Sequence, residues 1–287
     1  MSCIDSSAIE RRQYEICNGT QNAMAMRPTV QLVGDADHAD FRDAVKLLRA
    51  AAHVVDARVP AAPELIVIAQ SRPGAFAPCD VESLRRGAPL AGVVALLGSW
   101  CEGEARTGRP WPGVARLYWY DFPTWWQRQL ALRAAGRCPD WARPNESDDA
   151  LPHATIRNRQ CGVIVLSVAR RDTRDALAEV LRETGYATVW HRFGRPECEV
   201  HGAAAGIWDG GQLDQCEATE LATFCRRLSR DAAPVVALLD FPRRDHFDEA
   251  VRLGASVVLG KPWRNESLLA TLDAIRTNAK TARAHPA

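Results

Sequence analysis

The chain has 287 residues, enough for two domains of ordinary size, each able to bury its own core. Its 36 Lys and Arg nearly cancel its 35 Asp and Glu, and the net charge of +1 gives no general attraction to nucleic acid or to an anionic membrane. No apolar run approaches the ~20 residues that span a bilayer, and residues 1–27 lack the apolar stretch of a signal peptide. The nine cysteines are scattered, odd in number and free of any CxxC pair. Cys161 and Cys225 lie in apolar segments, where a free thiol behaves as a small hydrophobe. A reduced, cytoplasmic protein without disulfides is expected.

Residues 1–27 show no apolar periodicity and read as a tail. Val30–Val33 is predicted as a strand and Ala39–Ala51 as a helix. Glu64–Ala69 is the next strand, Val81–Arg86 a short helix and Gly92–Leu97 another strand. From Cys101 to Gly113 the chain is too rich in Gly and Pro for a helix, and Leu117–Pro123 reads as a fifth strand. The polar, breaker-containing residues 141–159 have linker composition and separate a domain at 28–140 from one at 160–277.

The second half alternates more cleanly. Strands are predicted at Gly162–Ser167, Ala187–His191, Ala203–Trp208, Pro234–Leu239 and Ser256–Leu259. Helices are predicted at Asp172–Glu183, Glu217–Ser229, Asp245–Leu253 and Asn265–Thr277, with 278–287 as a second tail. Alternating strands and helices argue a parallel sheet covered on both faces. Val93-Val94-Ala95-Leu96-Leu97 and Val235-Val236-Ala237-Leu238-Leu239 match closely, an internal repeat that makes two copies of one α/β fold the economical reading.

Gly254-Ala255 closes a helix, a short apolar strand follows, and Lys261-Pro262-Trp263 stands at that strand's carboxyl end. Upstream, Gly206-Ile207-Trp208-Asp209 is a strand that also ends on a charge. Across 161–277 this order and spacing resemble the response-regulator receiver domain, and the strand pattern extends the resemblance more weakly to 28–140. The resemblance implies two flavodoxin-like (βα)5 doubly wound parallel-sheet domains in tandem. It also implies that Asp209 stands at the phospho-acceptor position and Lys261 at that of the Lys contacting the phosphoryl group. Val168 and Ala169 replace the family's acidic pair, Leu239 replaces its Ser or Thr with Asp240 directly after, and Val258 replaces its switching aromatic. In the first copy Gly34-Asp35 stands at the acidic pair and Ala69 at the acceptor, and the fifth strand offers no Lys.

These departures predict a non-enzymatic signal-transduction adaptor with no catalytic residue, no metal and no cofactor, in which Asp209 and Lys261 tie two strand ends together. Mg²⁺ enters only under the alternative, in which Asp209 still accepts phosphate. A further alternative is a small-molecule sensor binding at the strand carboxyl ends. The family's habit of pairing through its fourth and fifth elements makes a homodimer conceivable.

Six of the nine tryptophans fall between positions 100 and 141. Trp100, Arg106, Arg109, Trp111, Trp119, Trp125 and Trp126 mix flat rings with guanidinium groups, the residue types found at the centres of protein interfaces. They are predicted to bind a protein partner, with a self-packed loop as the competing reading. No Lys/Arg stripe accompanies them, so nucleic acid is not expected. His191, Cys198 and His201 have no fourth ligand at zinc spacing, and Ser167, His191 and Asp172 lack a Gly-x-Ser-x-Gly elbow.

Overall fold

The computed structural model describes residues 27–55, 62–104, 108, 110–143, 161–192 and 201–284, with side chains described as far as 276. The first domain contains β1 (Thr29–Gly34), α1 (Arg42–Ala51), β2 (His53–Val55), β3 (Leu65–Gln70), α2 (Pro78–Gly87), β4 (Gly92–Leu97), β5 (Ala115–Tyr118) and α3 (Phe122–Ala134). The second contains β6 (Val163–Ser167), α4 (Arg171–Glu183), β7 (Ala187–His191), β8 (Ala205–Asp209), α5 (Gln215–Ser229), β9 (Val235–Asp240), α6 (Arg244–Arg252), β10 (Val257–Lys261) and α7 (Asn265–Ala284). The sheets run β2-β1-β3-β4-β5 and β7-β6-β8-β9-β10, with every described strand pair parallel. This 2-1-3-4-5 order, found twice, is the flavodoxin-like doubly wound architecture.

The central strands follow from composition. β3, Leu-Ile-Val-Ile-Ala-Gln, is buried at every position because helices cover both of its faces. α1 turns Ala44, Val45 and Leu48 inward, one face of a helix at three- and four-residue spacing. β4 and β7 begin and end where the sequence places them.

Three expectations need correction. The aromatic run 117–123 is not one strand: β5 stops at Tyr118 and α3 begins at Phe122, with Pro123 in its first turn, where the missing N–H has no helical partner to lose. Trp141 is not linker. It is 8 % exposed, its ring stacks on Trp126 with centroids 5.6 Å apart, and the turn Asp140–Ala142 packs on the first domain. The closing helix continues to Ala284, so most of 278–287 is helical. In the loop after β4, the Gly108 amide donates to the Glu104 carbonyl at 2.7 Å, a helical-turn bond; Arg106 and Arg109 lie outside the described residues.

The two domains pack on each other through equivalent elements. The helices following the fifth strands, α3 and α7, are in contact. Phe247 of α6 reaches the first domain's core, its ring 5.0 Å from that of Trp119. Arg244 Nη1 lies 2.8 Å from Asp43 Oδ2, and the Arg243 guanidinium sits 5.0 Å over the Trp100 ring. Gly260 of β10 accepts the Tyr120 ring so closely that a β-carbon there would collide with the Tyr120 hydroxyl.

Candidate functional site

Each sheet has a crevice at its carboxyl edge, where its strand order reverses and open α/β sheets place ligands. In the second domain β8 delivers Asp209 there and β10 delivers Lys261. Parallel pairing sets Lys261 beside Asp240 at the end of β9. Lys261 Nζ lies 2.9 Å from Asp209 Oδ1 and 3.0 Å from Asp240 Oδ1, and it also donates to the Gly210 carbonyl. The three residues singled out from sequence therefore meet. Their side chains are 10 % (Asp209), 20 % (Lys261) and 48 % (Asp240) exposed. Burial pulls the Lys261 ammonium toward neutrality, but the two carboxylates outweigh it and hold the group above its ordinary pKa.

The other edge of this crevice is apolar. Ser167 pairs with Trp208, so the next residue of that strand end, Val168, falls level with Asp209. Val168 is 4 % exposed and its carbonyl accepts from Trp190 Nε1 at 3.0 Å; Ala169 follows on the surface. The receiver resemblance implies Mg²⁺ in such a crevice, and these residues do not fit it. A divalent cation of that kind needs oxygen ligands, chiefly carboxylates. Here Val168 and Ala169 supply none and Lys261 occupies Asp209. No group of three or more His, Cys, Asp or Glu suited to a metal occurs among the described residues.

The sequence reading missed one residue that shapes this site. Glu217 Oε1 accepts from the Gly211 amide at 2.6 Å and Oε2 from the Leu213 amide at 2.7 Å, tying down the loop that follows Asp209. The signal was present: Asp214-x-x-Glu217 is a capping box, and the Glu217 amide donates to Asp214 Oδ1 at 2.9 Å.

In the first domain, Gly34 pairs with Ala69, the same register step that sets Val168 level with Asp209. The Trp119 amide donates to the Leu97 carbonyl at 2.9 Å, one step beyond the Leu97–Tyr118 pair, which places Trp119 where the second domain has Lys261. Gly34 has φ +99°, and a β-carbon there would collide with the Ala69 carbonyl and lie 2.7 Å from the Phe76 ring. Phe76 thus covers Gly34 at the carboxyl end of β1.

The tryptophan block is largely interior. Trp111, Trp119, Trp125 and Trp126 are 9, 3, 6 and 1 % exposed, and the last three belong to one core cluster with Phe41, Leu48 and Phe122. They are not available as a partner surface; they fill the space between sheet and helices, and Trp119 meets the second domain. Trp100 alone of the five named tryptophans is open, at 64 % exposure. His191 stacks on Phe224 and its Nδ1 is 3.1 Å from Arg227, a packing role; Cys198 lies outside the described residues. Cys225 is buried with its thiol pushed up to about 11 by desolvation, as expected of an inert core cysteine, whereas Cys161 is exposed.

A second polar cluster lies between the domains. Tyr120 Oη donates to Glu102 Oε1 at 2.8 Å. Burial raises the Glu102 carboxyl to about 7 against the opposing hydrogen bond from Tyr120. Burial likewise raises Asp121 to about 7; the charge of Glu102 adds to the shift and Arg264 of the second domain opposes it.

No helix among the described residues is long and apolar enough to cross a membrane. No protein-family model and no curated protein sequence matches the chain. Among solved structures it is similar to a CheY-like response regulator from Mesorhizobium loti, with 17% identity, 41% of this chain and 99% of that chain covered, and a TM-score of 0.32. It is also similar to a response regulator receiver protein from Pseudoalteromonas atlantica, at 18% identity, 41% and 98% coverage and a TM-score of 0.34. The signal receiver domain of a histidine kinase from Syntrophus aciditrophicus shows 17% identity, 42% and 92% coverage and a TM-score of 0.33.

Proposed function

We propose that this chain is a cytoplasmic, non-enzymatic signalling protein of two-component type, built from two degenerate receiver-like domains that act through a protein partner. The observation that carries this reading is the environment of Asp209. Its carboxylate is 10 % exposed and bonded to Lys261 at 2.9 Å, while Val168 lies level with it in place of a metal-binding acid. Phosphoryl transfer to a carboxylate needs a nucleophile beside a cation that neutralises the incoming charge. Asp209 instead joins β8 to β10 through Lys261, a structural role. In the first domain Ala69 has no side-chain oxygen to accept a phosphoryl group.

The face that receiver-like domains present through their fourth and fifth elements is used here within one chain, by α3, β5, α6 and α7. A second copy is not needed to cover it, and the partner is expected on other surfaces.

The reading is tested by titrating the full chain with Mg²⁺ and beryllofluoride while following tryptophan fluorescence. Trp208 is 2 % exposed and adjacent to Asp209, so it reports on that carboxylate. No saturable change is expected. A saturable change that disappears in Asp209→Ala overturns the adaptor reading in favour of a phosphorylatable regulator, for which the convergence of Asp209, Asp240 and Lys261 speaks.

A further inference from the structure

The first domain's crevice, freed from phosphoryl chemistry by Ala69, is not filled. It measures about 650 Å³, within the roughly 300–1,000 Å³ of small-molecule sites. It opens beyond the carboxyl ends of β1 and β3, where this sheet reverses its strand order. Its walls combine two rings, Phe76 and Trp100, with the charged or polar groups of Asp35, His38 and Arg72.

Asp35 and Arg72 are exposed, and neither side chain makes a hydrogen bond or ion pair among the described residues. Two opposite charges lining one cavity without pairing to each other leave an acceptor and a fork of donors free for a ligand. His38 Nδ1 accepts from the Asp40 amide at 3.3 Å, so the neutral ring carries its proton on Nε2 as a further donor. Asp40 is itself buried and accepts from the Ser99 amide at 2.8 Å, which fixes the turn carrying Trp100. Trp100 is one of the few large hydrophobic side chains left exposed in the described structure. An indole held open beside an unpaired guanidinium suits a planar ring that carries a negative charge.

We propose that this crevice binds a mononucleotide, with the base against Trp100 and Phe76, the phosphate on Arg72 and His38, and ribose hydroxyls donating to Asp35. The Asp35 carboxylate favours a nucleotide over a simple aromatic acid, which lacks hydroxyl donors to pair with it. The Trp100 ring also carries the Arg243 guanidinium of the second domain, so an occupied crevice borders the domain contact.

Isothermal calorimetry of the full chain against AMP and GMP, with phenylacetate as the ring-plus-carboxylate control, tests this. One-site binding of at least one nucleotide is expected, tenfold or more tighter than phenylacetate. Arg72→Glu and Trp100→Ala should each weaken it at least tenfold, and Asp35→Ala should narrow the gap to phenylacetate. Asp35 and Arg72 are solvent-exposed, so unchanged far-UV circular dichroism and thermal unfolding should accompany the changes at those two positions, and Trp100→Ala should keep the far-UV spectrum. Absence of saturable binding by both nucleotides overturns the proposal, as does binding that survives Arg72→Glu and Trp100→Ala, or phenylacetate binding as tight as the nucleotides.

Discussion

The two domains are built on the same sheet register and carry different chemistry at their strand ends. At the end of the fifth strand one has Lys261, bonded to two carboxylates, and the other has Trp119, buried against Phe247 of the neighbouring domain. At the end of the third strand one has Asp209 and the other Ala69, buried in the core. The scaffold therefore dictates where these side chains meet and leaves open what they are. In the second domain the position serves an ion pair inside one sheet. In the first it has become the knob that joins two domains.

Breaking the knob should have the largest effect. Trp119 is 3 % exposed, and truncating a buried Trp removes both transfer energy and packing, so Trp119→Ala should cost about 3–5 kcal/mol in chemical denaturation. Because the ring also carries Phe247, the two domains should then unfold in separate steps. A single transition shifted by less than ~1 kcal/mol would show that the contact is not what couples them.

The cluster beside that knob gives the next effect, a pH dependence. Glu102 and Asp121 titrate near 7 in the folded chain, against ordinary values of 4.5 and 3.8. Between those limits the folded state holds more protons than the unfolded chain. Stability from these groups is complete below about pH 4 and is lost as pH rises through 7, by a few kcal/mol after allowance for partial solvent exposure. Glu102→Gln, which can still accept from Tyr120, should flatten the fall in midpoint denaturant concentration between pH 5 and 8. An unchanged slope would mean that the carboxyls remain solvated.

What could be read in the sequence divides along the same comparison. The second domain's site was legible because its elements keep receiver spacing, and spacing brings Asp209, Asp240 and Lys261 together whatever else changes. The first domain's fold was legible through its repeat of β4, but its tryptophans were misjudged. Composition cannot say which way a ring points; α3 starts at Phe122 and turns Trp125 and Trp126 inward. Trp119 could have been placed by carrying the Leu97–Leu239 match forward to the fifth strands, where it falls on Lys261. The interdomain cluster had no local signal, since Arg264 comes to Asp121 only by docking of the two domains.

The ion pair itself should show graded effects that separate a buried contact from an exposed one. Lys261→Ala leaves Asp209, at 10 % exposure, facing a carboxylate with no cation between them, and should cost about 1–3 kcal/mol. Asp209→Ala should cost less, because Lys261 keeps Asp240 at 3.0 Å and is free to turn toward water.

Asp240→Ala should have the smallest effect, about 0–1 kcal/mol, because half-exposed ion pairs gain little over hydration. That last value bears on the comparison most directly. Asp240 stands one residue beyond the Ser or Thr position of a receiver, and its side chain is 48 % exposed with one oxygen on Lys261. If the residue only decorates the pair, a double-mutant cycle between Asp240→Ala and Lys261→Ala returns a coupling near zero. A coupling above ~1.5 kcal/mol would instead mean that Lys261 is held by both carboxylates as a unit. The second crevice would then be a closed charge cluster with a purely structural role, the polar counterpart of the buried Trp119 in the first.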